Sequence, residues 1–146
     1  MVRLGVELVS AEMGSLALLS PDGESLIETY NYNMPPELFN DKPFPRGTGL
    51  GWTMLETGQS IRLEDYPAPP DAMQYAIDAG VPALLLVPVT AGDSTLGVLK
   101  LFSVDPQKKF SQRDQALATA IGQQAGIYIQ NARLFEEIQQ RAQQLT

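Results

Sequence analysis

Two apolar runs in residues 81–104, VPALLLVPVTAGDSTLGVLKLFSV, constrain the fold of this chain more than any other stretch. The runs flank a Gly-Asp turn at residues 92–93, and each has the length of an ordinary strand. A short Gly-Asp connection between two apolar runs is typical of a β-hairpin. We therefore predict two neighbouring antiparallel strands in this stretch.

Lys100 lies in the middle of the second of these strands. Side chains alternate along a strand, so two faces can be assigned. One face carries Leu96, Val98, Lys100 and Phe102, and the other carries Gly97, Leu99 and Leu101. A lysine that pointed into a dry core would be costly unless it were paired. We therefore expect its face to border a pocket or to hold an ion pair between Lys100 and Glu28, and the alternative is an edge lysine that reaches water.

The other predicted elements precede this hairpin. Residues 2–13 have helical spacing, and residues 15–20 and 25–32 read as a hairpin around Pro-Asp-Gly-Glu. In the second of those strands, alternation places Leu26, Glu28, Tyr30 and Tyr32 on one face. Residues 34–46 are predicted as a loop with a short helical turn, 48–58 as a helix that stops at Gly58, 60–65 as a strand and 72–79 as a helix.

The last element is a long helix that starts at a capping box formed by Ser111 and Asp114. One seam of the helix repeats as a heptad, and a second seam is made mainly of small residues. The heptad seam is Leu117, Ile121, Gln124, Tyr128, Asn131, Phe135, Ile138, Ala142 and Leu145, and the small seam is Ala118, Gly122, Ala125, Ile129 and Ala132. We infer that the first half of the helix packs on the sheet and that the second half projects and pairs with another helix. The alternative is a single amphipathic helix that folds back on its own core. The predicted dimer residues are Leu117, Ile121, Tyr128, Phe135, Ile138 and Leu145.

The composition excludes most catalytic chemistry. The 146 residues contain no His and no Cys, which removes the commonest general base, the thiolate nucleophile and the usual zinc ligands. The carboxylates Asp41, Glu64, Asp65 and Asp71 match no metal-loop spacing. We therefore predict that the fragment is not an enzyme and holds no metal.

The net charge of −7 and the absence of a basic patch argue against nucleic acid as a partner. The longest apolar run has nine residues, about half of what a membrane span needs, so we predict no membrane insertion. No secretion signal is visible, and the lack of cysteine fits an intracellular site, which leads us to predict a cytoplasmic location.

Aromatic residues concentrate in the first strands and in the middle segment. We predict that they line a small-molecule pocket together with the charged pair, and the alternative is a small aromatic core. The glycines of Gly47-x-Gly49-x-Gly51 favour a tight turn into a helix over a phosphate loop. The candidate pocket residues are Glu28, Tyr30, Tyr32, Phe44, Trp52, Tyr66, Tyr75, Lys100 and Phe102.

The order and wording of these segments resemble a GAF domain. The matching pieces are AEMGSLALLSPDGESL, GTGLGWTMLETGQSIRLED, VPALLLVPVTAGDSTLGVLKLFS and FSQRDQALATAIGQQAGIYIQNARLFEEI, which together span residues 6–138. The resemblance implies an α+β fold: an antiparallel sheet of five to six strands with the helices of both termini on one face. It also implies loops and short helices over a ligand pocket on the other face.

The resemblance further implies a sensory or regulatory module of signalling proteins such as histidine kinases in two-component systems. Relatives that carry a covalent bilin use a Cys and surrounding His, which are absent here, so a bilin and a His-ligated haem are disfavoured and we predict no cofactor. Relatives that bind cyclic nucleotides carry an Asn-Lys-Phe-Asp-Glu set. In this chain only Phe110 and Asp114 correspond to members of that set. The methionine sulfoxide reductase activity of some GAF proteins also needs cysteines, which this chain lacks.

These observations predict one GAF-like domain over residues 1–146, with a core at about 6–133 and the start of a projecting helix at 134–146. Neither terminal helix shows a capping or stopping signal at the chain end, which we interpret as a module from a longer protein. The predicted function is a non-catalytic sensor that binds an unknown small molecule and transmits the signal through its terminal helices as a homodimer. The alternative is a ligand-free dimerisation module of a multidomain signalling protein.

Overall fold

The computed structural model describes residues 1–35, 42–62 and 83–145. The predicted helix at 72–79, most of the predicted strand at 60–65, and Tyr66 and Tyr75 lie outside these residues.

The described strands form one antiparallel sheet of six strands in the order β3-β2-β1-β6-β5-β4. Their bounds are β1 Met13–Leu19, β2 Ser25–Tyr32, β3 Phe44–Pro45, β4 Ile61–Arg62, β5 Ala83–Ala91 and β6 Ser94–Ser103. The predicted hairpin is confirmed as β5 and β6, and Gly92 in its turn has a φ of 59°, a value that glycine adopts without strain. The predicted α+β class with an antiparallel sheet is also confirmed.

Among the described residues, three helices accompany the sheet: α1 Val2–Leu8, α2 Leu50–Thr57 and α3 Gln112–Gln144. Helix α1 is shorter than predicted, because Ser10 takes a left-handed φ of 55° and the chain enters β1 at Met13. Helix α2 ends at Gly58 in the left-handed conformation, as predicted. The capping box of α3 is present, since the Ser111 hydroxyl accepts from the Asp114 amide and the Asp114 carboxylate accepts from the Ser111 amide.

Strand β3 was not expected from the sequence, which predicted only loop and helical turn at 34–46. Phe44 and Pro45 pair with Leu26 and Ser25 at the edge of the sheet. An edge position suits Pro45, because a proline has no N–H to contribute to a ladder.

Helices α1 and α3 cover one face of the sheet, and a hydrophobic core lies between them and the strands. Its strand residues include Leu16, Leu85, Val87, Leu99 and Leu101, and its helix residues include Val2, Val6, Ala118, Ile121 and Ala125. The odd-numbered face of β6 is therefore the helix face, as its pattern predicted. Helix α3 approaches β5 very closely, because a Cβ on Gly122 or Gly126 would lie 2.2 Å or 2.0 Å from the carbonyl oxygen of Pro88 or Thr90. The seam of small residues thus sets the distance between α3 and the sheet.

The other face of the sheet carries a second core beneath α2. Leu26, Leu84, Leu86, Val98 and Phe102 from the strands pack there with Leu50, Trp52 and Met54 from α2. The even-numbered face of β6 is therefore the α2 face from Val98 to Phe102. Leu96 was predicted on this face but packs with the helix-face core, because the pairing of β5 and β6 shifts register between Val89 and Thr90.

Candidate functional site

The α2 face of the sheet contains a buried ion pair. The Nζ of Lys100 lies 2.5 Å from the Oε1 of Glu28, and the two side chains are 9% and 5% exposed. Lys100 belongs to β6 and Glu28 to β2, so the pair spans the intervening strand β1. The pairing predicted from the sequence is therefore present.

Small side chains on β1 allow the two long side chains to meet. Ser15 lies directly opposite Lys100, and Ala17 lies directly opposite Glu28, in the antiparallel ladders of β1. Residues directly opposite each other in a ladder share a face, so Ser15 and Ala17 lie beneath the ion pair. A larger residue at either position would occupy the space that the pair uses.

The aromatic side chain of Phe44 from β3 lies against the pair, and Trp52 of α2 holds that strand. The Phe44 ring centre lies 4.8 Å from the Lys100 ammonium, a cation–π distance. The Trp52 indole N–H donates to the Phe44 carbonyl at 2.9 Å, which fixes β3 to α2. On the outer side, the Arg46 guanidinium lies 4.9 Å from the centre of the Trp52 ring. Gly51 packs directly on the strand residues below, because a Cβ there would lie 3.0 Å from Leu26.

The space beside Lys100 is small. A cavity of about 20 Å³ lies between Lys100, Phe44, Gly51, Leu86 and other residues of the α2 core. A volume of about 10–15 Å³ of this kind holds one water molecule, so the described residues leave room for a single small polar group.

Two polar atoms of this face are buried without a hydrogen-bond partner among the described residues, namely the Oε2 of Glu28 and the Oγ of Ser15. Ser15 is completely buried. An unpaired polar atom in such surroundings costs on the order of 1–3 kcal/mol, so the pair is incompletely satisfied by the protein itself. Ser15 was not among the predicted site residues. The alternation of small residues in β1 opposite Lys100 is the signal that could have found it.

Five predicted pocket residues come together here: Glu28, Phe44, Trp52, Lys100 and Phe102.

The prediction that Tyr30 and Tyr32 share a face with Glu28 is wrong. A β-bulge places Tyr30 opposite Leu16 and Glu28 opposite Ala17, so Thr29 is the extra residue and the alternation of β2 reverses beyond it. Both tyrosines lie on the helix face, where they line a groove of about 350 Å³ with Tyr128 and Ile129 of α3.

The predicted dimer residues of α3 divide into two groups. Ile121 is a member of the helix-face core and Leu117 packs against that core, so these two lie inward rather than on a free seam. Tyr128, Phe135, Ile138 and Leu145 are 62–88% exposed. From residue 130 to residue 145, every residue of α3 is exposed.

Hydrogen bonds join the edge strand β4 to the start of α3. The Gln115 amide donates to the Ser60 hydroxyl, and the Arg62 guanidinium donates to the Phe110 carbonyl at 2.9 Å. Ile61 between them belongs to the α2 core. The two faces of the sheet are therefore connected at this edge.

Residues 1–35, 42–62 and 83–145 contain no cluster of three or more acidic side chains with the geometry of a metal site. Within the same residues, no helix has the length and apolar character needed to cross a bilayer.

The chain belongs to the GAF domain family, whose model matches residues 1–130. Solved GAF domains have the same fold. The GAF domain of an Acinetobacter phosphoenolpyruvate-protein phosphotransferase matches with a TM-score of 0.75 at 18% identity, over 94% of this chain and 82% of that one. The second GAF domain of DevS from Mycobacterium smegmatis matches with a TM-score of 0.73 at 17% identity, over 94% and 93% of the two chains.

The GAF domain of a two-component sensor histidine kinase from Bacillus halodurans matches with a TM-score of 0.70 at 21% identity, over 92% of each chain. At these identities the likeness establishes the fold, whereas the family match identifies the chain as a sensory or regulatory type of domain.

Proposed function

We propose that this chain is a regulatory domain of a signalling protein that forms a homodimer through α3 and transmits its state along that helix. The observation that supports the proposal is the exposed apolar stripe of α3, which is the part of the heptad seam that the core does not cover. Its members Tyr128, Phe135, Ile138 and Leu145 point away from the core and recur at heptad spacing.

The stripe is unusual for a helix that lacks a partner. Residues 130–145 have no buried position, so nothing in the described chain covers the apolar side chains of the stripe there, whereas a helix in a protein is stabilised mostly by packing of its apolar face. The other two seam positions in this stretch, Asn131 and Ala142, are also uncharged, although the chain as a whole carries a net charge of −7. A seam without charge can pack against an identical seam without repulsion, so a second copy of the chain is the occupant we propose.

Transmission would use the connection at the sheet edge. A change of packing on the α2 face would act on β4, and the bonds from Ser60 and Arg62 would pass it to the start of α3. Two helices in a dimer can pack in alternative ways, and a stimulus that favours one packing raises the fraction of dimers that adopt it.

The dimer can be tested by light scattering on the wild-type chain and on the double variant Phe135→Lys/Ile138→Lys. We expect the wild type to be dimeric and the variant monomeric, because two lysines on each seam would face their own counterparts. Gln140→Lys places one lysine on the other side of the helix and should leave the dimer intact. A monomeric wild type, or a variant that remains dimeric, would refute the proposed interface.

A second function, binding of a small molecule on the α2 face, is favoured by the unpartnered Oε2 of Glu28 and Oγ of Ser15. A thermal-shift panel of metabolites and nucleotides tests it. A ligand of this site should raise the melting temperature and move the NMR signals of Gly51 and Lys100. If no compound in the panel stabilises the chain, the ligand-free dimerisation module becomes the better description.

A further inference from the structure

The free hydrogen-bonding capacity around Lys100 and Glu28 indicates which chemistry the α2 face can accept. The Oε1 of Glu28 already accepts from Lys100, while its Oε2 has no partner among the described residues. The Ser15 hydroxyl is also free to donate or to accept. A carboxylate oxygen can only accept hydrogen bonds, so the partner that the Oε2 of Glu28 lacks must be a hydrogen-bond donor.

The charge balance restricts the ligand further. Glu28 and Lys100 together are neutral, and both side chains are more than nine-tenths buried. An anion placed beside them would leave a net negative charge in this site and would face the free oxygen of Glu28. A cation would leave a net positive charge, and either excess is costly where water is excluded. A neutral group with an N–H or O–H avoids both costs.

The walls agree with a small neutral group. A cavity of about 20 Å³ borders Lys100, which is the ion-pair partner of Glu28 and lies opposite Ser15 in the ladder. Its other described lining residues are mainly apolar or aromatic, with Phe44, Leu86 and Phe102 among them and Thr48 as a polar member. Building on the proposed ligand-binding function, we propose that the cavity beside Lys100 is specific for a small uncharged molecule that offers an amide- or hydroxyl-type donor to the free oxygens of Glu28 and Ser15. The internal ion pair thereby excludes carboxylates and phosphates that Lys100 alone would attract.

Formamide, formate and formamidinium test the charge preference, because they share one planar shape and differ in charge and in donors. Each is titrated into the 15N-labelled chain while the signals of Gly51 and Lys100 are followed. We expect formamide to bind about ten-fold more tightly than either ion. In Glu28→Gln, which leaves the lysine charge unbalanced, we expect the order to reverse in favour of formate.

Ser15→Ala provides a second variant that keeps the ion pair, in case Glu28→Gln does not fold. It should weaken formamide binding by about three-fold or more, since one hydrogen-bond partner of the donor group is lost. Equal or tighter binding of formate to the wild type would overturn the proposed ligand class and leave the site itself standing. If no probe moves the Gly51 and Lys100 signals, the binding site is overturned along with the class. A metabolite that stabilises the chain while formamide binds no better than the ions would contradict the class alone.

Discussion

The two faces of the sheet differ in how they use the same strands. The face under α1 and α3 packs mainly hydrocarbon, and its buried Ser103 hydroxyl accepts a hydrogen bond from the Asp105 amide. Among the described residues, the face under α2 instead presents a buried ion pair and two unpartnered polar atoms. On the helix face, glycines bring α3 into backbone contact with β5. On the α2 face, small residues of β1 leave room for long polar side chains.

The difference separates two roles of small residues. Gly122 and Gly126 remove side chains so that two backbones can touch, which fixes the position of α3. Ser15 and Ala17 remove bulk so that Lys100 and Glu28 can meet above β1. The first arrangement brings two backbones into direct contact, while the second leaves hydrogen-bonding groups unused.

Lys100→Met should have the largest effect on stability. It leaves the Glu28 carboxylate buried without its ammonium partner, and removal of one member of a buried pair costs about 3–5 kcal/mol. Urea denaturation at neutral pH measures the free energy of unfolding.

The matched control is the double variant Glu28→Leu/Lys100→Met, which replaces both charges with apolar side chains. A buried pair replaced in this way is often neutral or stabilising, so the double variant should recover most of the loss. If the double variant is as unstable as Lys100→Met, the pair itself stabilises the α2 face, and the contrast between the two faces is smaller than we describe.

Gly126→Ala tests the helix face and should have an intermediate effect. Its Cβ would lie 2.0 Å from the Thr90 carbonyl oxygen, so α3 must move away from β5. Overpacking of this kind costs about 1–3 kcal/mol, measured as a lower free energy of unfolding.

Gly5→Ala is the control on the same face of the sheet. Its Cβ would meet the Leu101 side chain at 3.5 Å, an ordinary contact, and alanine is favoured over glycine within a helix by about 0.5–1 kcal/mol. Gly5→Ala should therefore stabilise the chain. Equal destabilisation by both substitutions would mean that close backbone contact is not what distinguishes Gly126.

Much of the architecture follows from the sequence because its signals are local. The apolar runs of β5 and β6, the capping box of α3 and the stop at Gly58 each depend on a few neighbouring residues. The charged pair was also predictable, since a central lysine on one strand needs a carboxylate on the same face. The small residues of α3 likewise indicated its close packing.

The membership of the site was less predictable, because it depends on register. The bulge in β2 has no sequence signature at Thr29, yet it moves Tyr30 and Tyr32 to the opposite face from Glu28. Strict alternation therefore assigned two aromatic residues to the wrong side. The two-residue strand β3 is similarly set by its pairing with β2 and not by its own pattern. Leu117 and Ile121 follow the heptad pattern in sequence, but they pack with the core between α3 and the sheet and do not face a dimer partner.

Ser15→Ala should have the smallest effect on stability, and its sign is informative. A completely buried hydroxyl without a partner is costly, so its removal should raise the free energy of unfolding by about 1 kcal/mol, measured in urea without ligand. The buried serine of the helix face, Ser103, is not equivalent, because its hydroxyl accepts a hydrogen bond from the Asp105 amide. A loss of stability instead would mean that the Ser15 hydroxyl is satisfied in solution. The α2 face would then be as complete as the helix face, and the unused capacity at Glu28 and Ser15 could not select a ligand.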